Sequence, residues 1–140
     1  MNYRDHCEEQ NAPVPTEPVV FNKFPSCIIG PKADLPYPDC TSELDWEVEL
    51  TIVIGKKGKK IPESEAMDYV FGYTVAHDVS ARDWQLKKNG GQWLIGKAMD
   101  GFCPLGANLD ILIALGLAGS YSVRFYISHG HLLIYKVSMY

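Results

Sequence analysis

Three acidic residues raise the first chemical question in this sequence. Glu47 and Glu49 stand two apart in Leu44-Asp45-Trp46-Glu47-Val48-Glu49-Leu50-Thr51-Ile52-Val53-Ile54, and Asp78 ends the run 73–78. Side chains on a strand alternate with a period of 2, so both glutamates share one face and Trp46, Val48, Leu50, Ile52 and Ile54 share the other. Two carboxylates that close repel each other and add nothing to a core. A divalent cation held by hard oxygens is the simplest partner that offsets the repulsion. The same alternation also suits a half-buried strand with a solvated acidic face. Asp78 falls where a strand ends and a helix begins, a position held by a rigid scaffold. With Glu47 and Glu49 it makes an all-oxygen site that prefers Mg²⁺, Mn²⁺ or Ca²⁺ to zinc. Taken alone, it also suits an Asx turn or a helix cap.

Five further side chains could work beside such an ion. Arg82 and Gln85 follow Asp78 by four and seven positions, one face of a helix, and can hold the carboxylate of a small substrate. His6 and Glu9 are spaced i, i+3, so the carboxylate can hold the imidazole in one tautomer and make it a better base. Lys97, among apolar and small neighbours, can act as an electrophile or orient an enolate. Each of these residues also suits an ordinary solvent-exposed position.

The chain of 140 residues is long enough for one domain. Its net charge of −4 argues against nucleic acid as a partner, and the run Lys56-Lys57-Gly58-Lys59-Lys60 reads as a solvated turn. No apolar run is long enough to span a membrane as a helix. Cys7, Cys27, Cys40 and Cys103 form no Cys-x-x-Cys pair and read as reduced thiols of an intracellular protein.

The elements that must position these residues are short. A helix is expected within 1–10. Strands are expected at 19–24 and 26–29, broken by Pro25, and a loop at 30–39. The strand carrying the glutamates follows, then a turn at 55–60 and a helix over 64–70 capped by Ser64. After the strand 73–78, Ser80-Ala81-Arg82-Asp83 resembles a capping box that opens a helix over 81–88, and Asn89-Gly90-Gly91 ends it. Residues 93–99 are mixed, and 101–106 form a loop. The apolar run 109–118 shows no clear period. Residues 121–127 and 132–140 suit a hairpin across a polar His129–His131 turn.

The order of these residues is more specific than any one of them. Asn2-Tyr3-Arg4-Asp5-His6-x-x-Glu9, Phe21-x-Lys23, Asp45-Trp46-Glu47-x-Glu49-Leu50, Gly72-Tyr73-Thr74-x-x-x-Asp78-Val79-Ser80-Ala81-Arg82-Asp83-x-Gln85, Trp93-x-x-Gly96-Lys97 and Phe102-Cys103-Pro104-Leu105-Gly106 together resemble the fumarylacetoacetate hydrolase family. The resemblance implies a mixed β-rich α+β fold, an incomplete β-roll, usually a homodimer. It implies Mg²⁺, with Mn²⁺ or Ca²⁺ as alternatives, on Glu47, Glu49 and Asp78. It further implies a His6–Glu9 catalytic dyad on a lid, a catalytic Lys97, and Arg82 and Gln85 on the substrate side. Substrates of the family are 2-oxo or 1,3-dicarbonyl acids. The branch most like this chain is associated with oxaloacetate keto–enol tautomerisation and with mitochondria. Hydrolysis of carbon–carbon bonds in acylpyruvate-like acids needs the same parts and stays open.

Two departures shape the expectations. The family carries a segment before the His6 motif, which this chain lacks, so a cytoplasmic location is expected if the chain is the whole product. After about Gly106 the likeness ends, which divides the chain into a partial catalytic domain, 1–108, and a divergent tail, 109–140. Further family strands would cover the apolar face of Trp46 to Ile54, so weakened turnover is expected, or an inactive fragment that pairs with a longer relative.

Overall fold

The computed structural model describes residues 3–107, whose elements are helix α1 (Arg4–Glu9), strands β1 (Ile28–Ile29), β2 (Leu44–Asp45), β3 (Val48–Ile54), β4 (Val70–His77) and β5 (Ser80–Ala81), helix α2 (Trp93–Lys97) and strand β6 (Cys103–Pro104). The arrangement is mixed and β-rich with few, short helices, and its three sheets are two-stranded and not closed, in keeping with the expected fold class. The chain divides into two units. Within the described residues, one comprises 3–20 and 50–73, the other 21–49 and 74–107. The expected tail elements, 109–118, the hairpin and its His129–His131 turn, lie outside the described residues.

In the second unit, two stretches run side by side and set the geometry of everything that follows. β2 and β5 pair antiparallel, Leu44 with Ala81 and Asp45 with Ser80. Backbone hydrogen bonds extend the ladder at both ends. The Arg82 N–H donates to the Glu43 carbonyl at 2.8 Å, and the Asp78 N–H donates to the Glu47 carbonyl at 2.8 Å. Glu47 therefore sits opposite Asp78 by register rather than by chance. β1 and β6 pair in parallel, Ile28 with Cys103 and Ile29 with Pro104. The chain then returns to β4, where the Gly106 N–H donates to the Val75 carbonyl at 2.8 Å. Val79, Ala81 and Phe102 are fully buried beneath these ladders, packed against Leu35, Leu44, Trp84 and Met99.

In the first unit, α1 buries Cys7, and Thr51, Ile52 and Ala66 are buried with it. The Gly55 N–H donates to the Tyr69 carbonyl at 2.9 Å and closes the turn that carries the lysine run. All four cysteines are free thiols.

Several local expectations need correction. Residues 19–24 form no strand, and Pro25–Cys27 is a 3-10 turn, because Pro25 fixes φ and removes a donor. The 64–70 segment is a 3-10 helix, Glu63–Tyr69, that starts after Pro62 with no side-chain cap, so Ser64 does not cap it. The glutamate strand is interrupted between β2 and β3, with Trp46 74% exposed. Val48 is also exposed, and Ile52 of the expected core stripe is buried. The face carrying Glu49 and Thr51 is buried instead. That reversal needs a partner for the buried charge, described below.

Phe102 is the largest apolar side chain buried in the core cluster. Phe102→Ala is expected to lower the stability of the folded chain by about 3–5 kcal/mol. Urea denaturation of both proteins measures it.

Candidate metal and substrate site

The carboxylates of Glu47, Glu49 and Asp78 converge. One oxygen from each lies within 4.8 Å of the others. Glu49 and Asp78 are buried and Glu47 is half-buried, so the acidic face is not the solvated one that alternation alone allows. Asp78 follows the end of β4 and is held there by its backbone N–H on Glu47. Its own carbonyl accepts from the Ser80 hydroxyl at 3.0 Å.

Buried carboxylates require compensating charge. Lys97, the last residue of α2, is 1% exposed and supplies it: its Nζ is 2.8 Å from Asp78 Oδ2 and 3.1 Å from Glu47 Oε2. The same ammonium stands 4.7 Å over the Phe21 ring. Lys23 supplies a second cation, with Nζ 2.7 Å from Asp78 Oδ1. That contact is a buried ion pair, with both side chains 5% exposed. Burial draws the Lys23 ammonium below the usual lysine range; Asp78 opposes the fall and Lys97 adds to it.

Arg82 spreads its guanidinium over three acceptors: Nε to Asp45 Oδ2 at 2.8 Å, Nη1 to Gln85 Oε1 at 2.7 Å and Nη2 to Glu47 Oε1 at 2.6 Å. Burial alone would raise the Glu47 carboxyl, but the charges of Lys97 and Arg82 outweigh it and hold the group at about 2. Asp45 also moves down: burial opposes, and the Arg82 hydrogen bond wins.

The helix expected over 81–88 is not a capped α-helix. Ser80 and Ala81 are strand, and Asp83–Lys87 is a single π-turn. Asp83 does not reach back to Ser80. It accepts from the Thr41 hydroxyl at 2.6 Å and pairs with Lys88 at 2.8 Å. The wider turn still places Arg82 and Gln85 together, with Gln85 buried. α2 packs against this turn at Gly96, where a Cβ would stand 2.6 Å from the Gln85 nitrogen. The close approach carries Lys97 onto the carboxylates.

Six of the eight expected site residues thus lie in the second unit: Glu47, Glu49, Asp78, Arg82, Gln85 and Lys97. His6 and Glu9 lie on α1 in the first unit, with Nδ1 3.6 Å from Oε2 and both side chains largely exposed. Lys23 and Asp45 were seen in the sequence only as parts of a motif. Phe21-Asn22-Lys23-Phe24 gives no sign that its lysine is buried.

The donor set fits a hard divalent cation. It is all carboxylate, it is sheltered, and one oxygen from each of the three residues converges on the others.

A model of the fumarylacetoacetate (FAA) hydrolase C-terminal domain matches residues 1–116. The chain belongs to the fumarylacetoacetate hydrolase family. "Oxaloacetate tautomerase fahd2, mitochondrial" of Xenopus laevis is 66% identical over 109 residues, 78% of this chain and 34% of the relative. "Oxaloacetate tautomerase FAHD2A, mitochondrial" of Homo sapiens is 62% identical over the same share of this chain and 35% of its own. The chain therefore spans about a third of the curated relatives it matches. Among solved family structures, 5-carboxymethyl-2-hydroxymuconate delta-isomerase from Mycobacterium smegmatis superposes with a TM-score of 0.68 at 40% identity. The superposition covers 79% of this chain and 43% of the isomerase. Among the described residues no helix is long and apolar enough to cross a membrane.

Two outcomes are expected of this candidate site. Gly96→Ala is expected to push α2 off the π-turn and weaken Mn²⁺ binding about ten-fold, measured by calorimetric titration. A carboxyl held at about 2, as Glu47 is, adds stability in full above its unfolded value near ~4.3 and loses it as pH falls toward the folded value. Glu47→Gln is therefore expected to flatten the decline of the melting temperature on acidification, followed by circular dichroism.

Proposed function

We propose that this chain carries the metal-dependent keto–enol chemistry of a small 2-oxo acid, oxaloacetate tautomerisation first among them. The observation that carries the reading is the buried convergence of Glu47, Glu49 and Asp78 with Lys97 and Arg82 around it. A divalent cation there, Mg²⁺ or Mn²⁺, would supply positive charge at the keto oxygen as the C3 proton leaves. Lys97 is the buried ammonium beside that position and stabilises the developing enolate. Arg82 and Gln85, already joined at 2.7 Å, take the substrate carboxylate. His6, oriented by Glu9, is the proton carrier on the strength of its motif.

The relatives named as tautomerases and isomerases favour this reaction over carbon–carbon hydrolysis of acylpyruvates. By the names of the tautomerase relatives, the place of action is the mitochondrion.

A second reading has its own observation. Trp46 is 74% and Val48 68% exposed, which suits a non-catalytic chain that associates through this sheet with a longer relative.

The test is the decay of the oxaloacetate enol absorbance. Activity that needs Mg²⁺, stops with chelator and vanishes in Glu47→Ala is expected. Equal rates with metal and with chelator contradict the proposal. No turnover, with co-purification of a longer relative, favours the second reading.

A further inference from the structure

Lys23 is the buried charge that the proposed chemistry leaves unused. Its side chain is 5% exposed, and the ammonium has three N–H donors and no acceptor. Three acceptors surround it. One is Asp78 Oδ1 at 2.7 Å, one is the Val79 carbonyl at 2.9 Å, and one is the carbonyl of Lys97. The Phe102 ring lies 5.8 Å from the same nitrogen. These contacts belong to different parts of the site. Asp78 and Val79 follow β4, whereas the Lys97 carbonyl ends α2. Lys97 in turn reaches back with its own ammonium to the other Asp78 oxygen at 2.8 Å.

The arrangement is a closed loop of contacts. Lys23 grips Oδ1 of Asp78 and the main chain of Lys97, and Lys97 grips Oδ2. Neither the carboxylate plane nor the end of α2 can turn without breaking a buried contact. We propose that Lys23 is a positioning residue, whose buried ammonium ties the Asp78 carboxylate to the end of α2 and so fixes the oxygen geometry offered to a divalent cation. The proposal rests on the metal reading above.

Its consequence is that placement, and not charge alone, sets the affinity. Lys23→Met removes the charge and the donors. Lys23→Arg keeps the charge but moves the donors, because a planar fork does not occupy the place of a compact ammonium. Both variants are expected to bind Mn²⁺ about 10–100-fold more weakly than the wild-type chain by calorimetric titration. In both, the Mn²⁺ electron paramagnetic resonance spectrum broadens, which a general loss of stability does not cause. A thermal melt without metal reports whether each variant is folded; if Lys23→Met melts without cooperativity, Lys23→Arg carries the test. Wild-type chain that binds Mn²⁺, with unchanged affinity and spectrum in a folded Lys23→Arg, overturns this role alone. Wild-type chain with no saturable Mn²⁺ binding overturns the metal reading and this role with it.

Discussion

Asp78 lies between two lysines, and the site depends on that contact. Asp78 is 4% exposed, and a buried charge is costly unless an opposite charge lies against it. Lys23 and Lys97 provide it from opposite oxygens, at 2.7 and 2.8 Å. Glu47 is drawn into the same system by Lys97 and Arg82, and Arg82 is steadied by Asp45. Breaking such a network from one side leaves an uncompensated buried charge, a larger loss than a surface ion pair incurs.

The backbone delivers these groups by a small number of hydrogen bonds. The ladder from Glu43 to Glu47 against Asp78 to Arg82 places two acidic strand residues across from the turn that carries Arg82. The π-turn widens that turn, and Gly96 lets α2 come close enough for Lys97 to reach in. The core of Val79, Ala81 and Phe102 lies directly behind. Fold and chemistry therefore share residues here: Val79 is core by its side chain and a Lys23 acceptor by its carbonyl.

The sequence displayed the acidic residues well, because a Glu-x-Glu spacing on a strand forces both onto one face whatever the tertiary context. It also displayed Lys97 and the Arg82–Gln85 pair, whose steps survive the change from α-helix to π-turn. It misled over which face is buried. Alternation separates the faces but cannot say which one meets water, and Trp46 and Val48 pointed to the apolar one. Charge compensation from Lys23 and Lys97, far away along the chain, decides the matter. The capping-box reading of Ser80 and Asp83 failed for a similar reason. Ser80 is committed to the β2 ladder and Asp83 to Thr41 and Lys88, partners that local spacing does not reveal. Lys23 went unassigned because a lysine between two phenylalanines looks like a surface residue until Asp78 is placed beside it.

The central claim is that these compensated carboxylates hold one hard cation between them. A crystal of the chain grown with Mn²⁺ and measured for anomalous scattering tests it most directly. The account predicts a single strong peak bonded to one oxygen each of Glu47, Glu49 and Asp78, with Lys23 still on Asp78. A peak elsewhere, or three carboxylates with nothing between them at saturating Mn²⁺, would contradict it.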